Sequence, residues 1–277
     1  MAEGKQRAPN FLYIGPDKSG STWLHQALEL HPDIFVPTFK DVYYFDRYYN
    51  FGDDWYLKIF NGAQEEFRGE ISHDYLFSAD AARRILEFNP KIKIITILRD
   101  PMSRSVSHYQ YLLRSGLTKK CFSEAILEFP EIIDNSHYER YLPKYLDIFD
   151  RSNVGIFVFE DLAADPQCFA NKIYEFIGAS EYVDPVLLEK KRGASAARSF
   201  YIARFVKMLA IWVRNMGFPG VVGFIKNNNT VSKLLYKPKL DTEVIAVKSV
   251  SDSEFVETLN YCEGILGRDL SNCWSRS

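Results

Sequence analysis

The chain has 277 residues, within the span that a single α/β domain can fill, and 47% of them are hydrophobic, which excludes a disordered chain. With 34 Lys+Arg against 36 Asp+Glu the formal net charge is −2, so no global basic excess exists to hold a nucleic-acid backbone. Aromatic residues reach 15%, an excess that supplies a generous core and flat surfaces for a planar ligand. Phe11–Gly15 is a short apolar run of the buried-strand kind, ending in a Gly-Pro turn. The spacing predicts a helix over Ser21–Leu30, with Trp23, Leu24, Ala27 and Leu28 on one face. Residues 33–36 and 68–72 read as further short strands, and 80–88 as a helix stopped by Asn89-Pro90. Lys93–Leu98 is β-branched and apolar on both faces, as a central parallel strand must be. Pro101 then opens a helix to about Arg114. Residues 154–159 form the last strong strand, and Asp165-Pro166 opens the helix after it. Alternation of this kind predicts a three-layer α/β fold, a central parallel sheet flanked by helices.

The last third differs. Residues 199–213 read as an apolar helix, 217–225 as an apolar segment broken by Gly and Pro, and 253–266 as a closing amphipathic helix. With no internal repeat or low-complexity linker, the expectation is one domain over 1–277 with a helical C-terminal cap, about 200–250 being a variable cap or lid. The apolar stretch 200–225 is also a candidate docking surface for a carrier or partner. Cys121, Cys168, Cys262 and Cys273 show neither CxxC nor Cys/His spacing, which argues against a disulfide framework or a zinc site. The N-terminus lacks an apolar signal region and no stretch is apolar for about 18 residues, so the expected location is cytoplasmic.

Chemistry begins between the first strand and the first helix, at Gly15-Pro-Asp-Lys18-Ser19-Gly20-Ser21-Thr22-Trp23. A loop there aims backbone N–H groups and a helix N-terminus at one spot, an anion site. Gly20 allows close approach of the backbone, Lys18 adds a point charge, and Ser19, Ser21 and Thr22 add hydroxyl donors. A Walker A loop places Lys immediately after its second Gly, whereas Ser21 holds that position here and the lysine comes two residues earlier. The K-S-G-S-T-W order resembles instead the 5′-phosphosulfate loop of the sulfotransferases that use PAPS (3′-phosphoadenosine-5′-phosphosulfate). A second segment, Ile97-Leu-Arg99-Asp-Pro101 continuing to Ser107, resembles that family's 3′-phosphate motif, in which a serine follows the arginine by eight residues. Independently of the name, an arginine at a strand's C-terminal end grips phosphate in a bidentate manner. The 154–166 block, the Gly193–Ser199 loop carrying Arg198, and the Leu266–Trp274 terminus extend the resemblance over most of the chain, except roughly 214–252. It implies Lys18, Ser19, Gly20, Ser21, Thr22, Trp23, Arg99, Ser107 and Arg198 as nucleotide-binding residues, with Trp23 stacking on the adenine. It also implies PAPS as co-substrate, adenosine 3′,5′-bisphosphate as product, no metal, and a hydroxyl-bearing acceptor.

Sulfonyl transfer needs a base for the acceptor proton and positive charge where the leaving phosphate develops negative charge. Lys18 suits the second task. Two residues compete for the first. Lys40-Asp41-Val-Tyr-Tyr-Phe45-Asp46 resembles the K-E-x-x-F-F-D element of polysaccharide-type sulfotransferases, whose glutamate is the base, with Asp41 a methylene shorter. His73, after the third strand, matches a basic histidine of the small-molecule type, and its ordinary pKa of about 6.5 suits proton transfer near neutrality. Asp41 orienting His73 is a third arrangement. Tyr43, Tyr44, Phe45 and Tyr75 flank these candidates and are expected to wall the acceptor cleft. Two competing readings stand beside this one. A P-loop kinase or phosphotransferase would use Asp161 and Mg²⁺ but leaves Arg99-Asp100-Pro101 unexplained. A catalytically inactive nucleotide-binding module is argued against by the joint presence of Lys18, Arg99 and Ser107.

Overall fold

The apolar runs at 11–15, 93–98 and 154–158 can bury side chains on both of their faces and assemble as neighbours, and 67–71, which carries Arg68 and Glu70, pairs beside the first of them. The computed structural model describes residues 8–185, 195–197, 200–217, 220, 236–238, 250–251 and 253–274. Strands β1 (Phe11–Gly15), β2 (Ile34–Phe35), β3 (Phe67–Ile71), β4 (Lys93–Leu98) and β5 (Val154–Val158) form one sheet in the order β2-β3-β1-β4-β5. Every neighbouring pair is parallel. Helices α1 (Ser21–Leu30), α2 (Asp53–Lys58) and α3 (Ala81–Phe88) fall between the first four strands, α1 and α3 within a residue of the bounds expected from spacing.

The chain divides into two compact units. The first, Met1–Arg99 with Arg140–Lys190, holds the sheet and α1–α3 together with α7 (Phe159–Ala164) and α8 (Pro166–Ile177). Phe11 and Tyr13 of β1, Ile71 of β3, and Ile95 and Ile97 of β4 share one apolar cluster with Leu24 and Leu28 of α1 and with Phe169, Ile173 and Tyr174 of α8. Leu12, Ile14, Ile94 and Leu98 alternate with them and are equally buried, so the opposite face of the sheet is covered too. Phe159 opens α7 where the sequence suggested a last strand residue, since β5 stops at Val158.

The second unit, Asp100–Glu139 with Lys191–Ser277, contains α4 (Pro101–Arg114), α5 (Phe122–Glu128) and α6 (Glu131–Asp134), then α9 (Phe200–Asn215) and α10 (Val256–Leu266). An antiparallel pair, β6 (Ser195–Ala197) and β7 (Tyr236–Pro238), belongs to it. Asp100 caps α4 by accepting a hydrogen bond from the Ser103 N–H at 2.7 Å, with Pro101 in the first turn where no N–H is needed. Arg104 is fully buried, yet its guanidinium donates to the carbonyls of Glu131 and Ile132, so it ties α4 to α6 as an internal clamp. None of the four cysteines forms a disulfide.

Candidate functional site

Between β1 and α1 the backbone does what an anion-binding loop requires. Gly20 sits at φ 88°, the left-handed region, and no side chain caps α1, so the first-turn N–H groups are left for a ligand. A Cβ at Gly20 would lie 3.1 Å from Leu162 and 3.2 Å from Phe159, so α7 packs directly beneath the loop. Ser19 is fully buried and its Oγ has no hydrogen-bond partner, an uncompensated polar atom that an oxygen-rich ligand would satisfy. Lys18 also adopts positive φ (66°), and its carbonyl accepts from Arg99 Nη1 at 2.9 Å. The Arg99 guanidinium lies 4.6 Å from the centre of the Phe159 ring. Arg99 thus braces the loop in addition to offering charge at the end of β4. Lys40 contributes a further cation that sequence reading did not place here. Its Nζ donates to Thr22 Oγ1 at 2.8 Å and to Ser21 Oγ at 3.2 Å. The available signal was its position immediately before Asp41.

The two competing base candidates are one unit. Asp41 Oδ1 lies 2.7 Å from His73 Nδ1. On the other ring edge, Nε2 is 3.2 Å from Tyr43 Oη and 3.3 Å from Asp74 Oδ1. Burial pulls the His73 pKa down, but the carboxylates of Asp41 and Asp74 outweigh it and leave the imidazole above its ordinary value. The pair is built by the segment 40–46 returning to the C-terminal end of β3. Asp41 N–H donates to the Ile71 carbonyl at 2.7 Å, Tyr43 N–H to Ser72 Oγ at 3.0 Å, and Phe45 N–H to Tyr75 Oη at 3.3 Å. Asp41 and Tyr43 are held at positive φ in the process. Both hydroxyls donate in turn to the buried Glu70 carboxyl, at 2.8 and 2.6 Å, and Tyr56 donates to it at 3.0 Å. Burial raises the Glu70 pKa to about 7 despite those three donors.

Phosphate loop and base pair touch through one glycine. A Cβ on Gly15 would stand 2.2 Å from the His73 carbonyl oxygen, so only glycine lets β1 end against the histidine's own peptide. The Gly15 carbonyl accepts from Thr96 Oγ1 at 2.7 Å, fixing the loop's start to β4 as well.

Other expected site residues lie as follows. Trp23 is half-buried and packs edge-on against Phe169 at 5.9 Å. Ser107 lies on α4, in the second unit, and Arg198 is outside the described residues. The expected aromatic wall is corrected. Tyr44, Phe45 and Tyr75 are at most 1% exposed and pack with Tyr56 and Phe88 as core, because their rings stack on one another (Tyr44 on Tyr56 at 4.3 Å). Among the four, Tyr43 alone presents a polar tip to His73.

Comparison with known proteins gives a consistent picture. Residues 8–208 match the family profile described as "Sulfotransferase domain". The chain is 31% identical over 195 residues to the Bifunctional heparan sulfate N-deacetylase/N-sulfotransferase 3 of Homo sapiens, covering 62% of this chain and 22% of that protein. It is 32% identical over 145 residues to the Membrane-associated sulfotransferase kil1 of Dictyostelium discoideum, covering 48% of this chain and 31% of the other. The chain therefore spans less than a third of the length of these relatives. The crystal structure of a sulfotransferase from Alicyclobacillus acidocaldarius superposes with a TM-score of 0.60 at 24% identity, covering 82% of this chain and 99% of that one, and shares its fold.

Proposed function

Because the chain belongs to the sulfotransferase domain family, we propose that it moves the sulfonyl group of PAPS to a hydroxyl or amine of a saccharide acceptor, with His73 taking the acceptor's proton. The observation that carries this reading is the 2.7 Å Asp41–His73 contact, joined to the phosphate loop through Gly15. Asp41 on Nδ1 fixes the ring's tautomer and leaves Nε2 to accept a proton, and its charge stabilises the imidazolium that results. Asp74, beside Nε2, adds to that stabilisation. Asp41 acts through the imidazole, so both sequence candidates have a role.

The loop fits the donor nucleotide. A buried Ser19 hydroxyl without a partner, an uncapped helix start and the cations Lys18 and Lys40 are the set a phosphosulfate needs. When bound, PAPS supplies an activated sulfonyl group on a phosphate leaving group. Lys18 would neutralise the negative charge developing on that phosphate, and Arg99 keeps the Lys18 backbone in place. A saccharide is favoured because relatives are named for action on heparan sulfate. The direct test offers PAPS with a panel of saccharides, amino sugars, small alcohols and carrier-bound alcohols, and reads the sulfonate mass increment. Product from saccharides that disappears in His73→Ala supports the proposal. Absence of product from every acceptor, or an unchanged rate in His73→Ala, overturns it, and product from alcohols alone would move the acceptor to the small-molecule or carrier-bound class.

A further inference from the structure

We propose that α9 is an interfacial anchor that lays the protein on an anionic lipid surface. Met208, Trp212 and Met216 follow one another at four-residue spacing, and Leu209 and Ile211 flank that stripe on the same side of the helix. All five are exposed, from 46% for Ile211 to 62% for Met208, with Trp212 at 59%. Ala210, Val213 and Arg214, on the opposite side, are half-buried. A helix of a globular domain ordinarily turns its large apolar side chains inward. Over the described positions 208–216, the half-buried side carries the smaller apolar residues and an arginine, and the exposed side carries the Met and Trp. An outward apolar face of this size marks an interaction surface.

Charge decides what covers it. Residues 190–240 contain eleven Lys and Arg and not one Asp or Glu, leaving 23 basic against 36 acidic residues in the rest of the chain. A second copy of this chain seated on α9 would bring two such basic segments together, at an electrostatic cost. An anionic bilayer supplies both things the segment lacks, an apolar layer for Met208 and Trp212 and negative charge for the flanking cations. Tryptophan also favours the level of the lipid headgroups, where its ring is buried and its N–H remains hydrated. Among the described residues no helix is long and apolar enough to cross a membrane, and α9, with 16 residues, lies on the surface rather than through it.

The test mixes the full chain, without nucleotide or acceptor, with vesicles of equimolar phosphatidylcholine and phosphatidylglycerol or of phosphatidylcholine alone, and measures sedimentation with the lipid. Because neither nucleotide nor acceptor is present, the outcome is independent of the sulfonyl-transfer reading. Binding is expected to the anionic vesicles, and it should fall by about tenfold or more in a Met208→Ser/Trp212→Ser double variant. A second pair, Leu209→Ser with Met216→Ser, should show the same loss, with unchanged melting temperatures confirming that both variants fold. Any of the following results would overturn the proposal. One is failure to bind either vesicle, or equal binding to both. The next is undiminished binding by both double variants. The last is a dimer that these substitutions dissolve while vesicles are ignored, which would make α9 a contact between copies. Binding to heparin in place of vesicles, retained in the variants, would instead assign the basic segment to an acidic polysaccharide and equally sink the idea.

Discussion

In the proposed reaction Asp41 acts through the neighbouring His73 ring, 2.7 Å away. Its backbone is pinned at φ 66° by the Ile71 carbonyl, which aims the carboxylate at His73 Nδ1. Asp41→Asn keeps the size but removes the charge. It should lower kcat by about 10² to 10⁴-fold while leaving affinity for adenosine 3′,5′-bisphosphate unchanged. On the proposed role of His73 the base must be neutral to act, so the rate should rise with pH through the His73 pKa, which Asp41 and Asp74 hold above its ordinary value against the pull of burial. Removing one carboxylate lowers that pKa, so the acid limb of the kcat profile should move to lower pH in the Asn variant. An unmoved limb would show that Asp41 does not act through His73. Glu70 gives a second pH signature, in stability. Burial raises its pKa from 4.5 to about 7, so the folded chain holds a proton that the unfolded chain releases across that window. The associated stability is present below 4.5 and lost as pH rises through about 7, by on the order of 3 kcal/mol. Glu70→Gln should therefore flatten the fall in melting temperature over that range. Part of the fall will remain, because burial also raises Asp46, from 3.8 to about 6.

At the level of elements, the site depends on three segments meeting: the end of β1, the start of α1 and the end of β3. Gly15 is the contact between the first and the last of them. Gly15→Ala would place a methyl 2.2 Å from the His73 carbonyl oxygen on a backbone at φ 128°. That should cost about 2–4 kcal/mol, since backbone rather than a flexible side chain must yield, and should also lower kcat by shifting His73. Gly52→Ala is the control, with φ 81° but nothing within 4 Å of the added carbon, and should cost only about 1 kcal/mol. Chemical denaturation of both variants checks the difference, and equal losses would mean the close approach is relieved at no cost. The contrast also marks how far sequence carries. The bounds of β1, α1, β4 and α4 were legible because continuous apolar runs and Pro101 are local signals. The Asp41–His73 pairing was legible only as one of three arrangements, because choosing it needs β2 to lie beside β3. Ile34 pairs with Phe67 at one end of β3, and the chain returns as Asp41 beside Ile71 at the other. Helices α2, α5 and α6 escaped because four to seven residues show too little period. Lys40 was read only as the first residue of the 40–46 element, while its partners lie 18 and 19 residues away.

Among the described residues, much of the aromatic excess goes into packing. The Tyr44–Tyr56 stack, Phe45, Tyr75 and Phe88 form packing beneath the 40–46 segment, so the rings serve the site by holding it rigid. A preorganised loop of this kind predicts a nucleotide response that discriminates between the two ligand classes its sequence resembles. Any ligand that binds only the folded chain stabilises it by about 2.7 kcal/mol at a hundred times its Kd. For a chain of this length that corresponds to a rise in melting temperature of roughly 5 °C. Adenosine 3′,5′-bisphosphate should produce such a rise, and ATP with Mg²⁺ a much smaller one, because Lys18 precedes Gly20 where a Walker A lysine follows its glycine. Lys18→Ala should shrink the rise by weakening anion binding, whereas His73→Ala, which leaves the phosphate loop intact, should retain it. A larger shift with ATP and Mg²⁺ would favour phosphoryl transfer, and equal loss in both variants would mean that base and nucleotide loop cannot be separated.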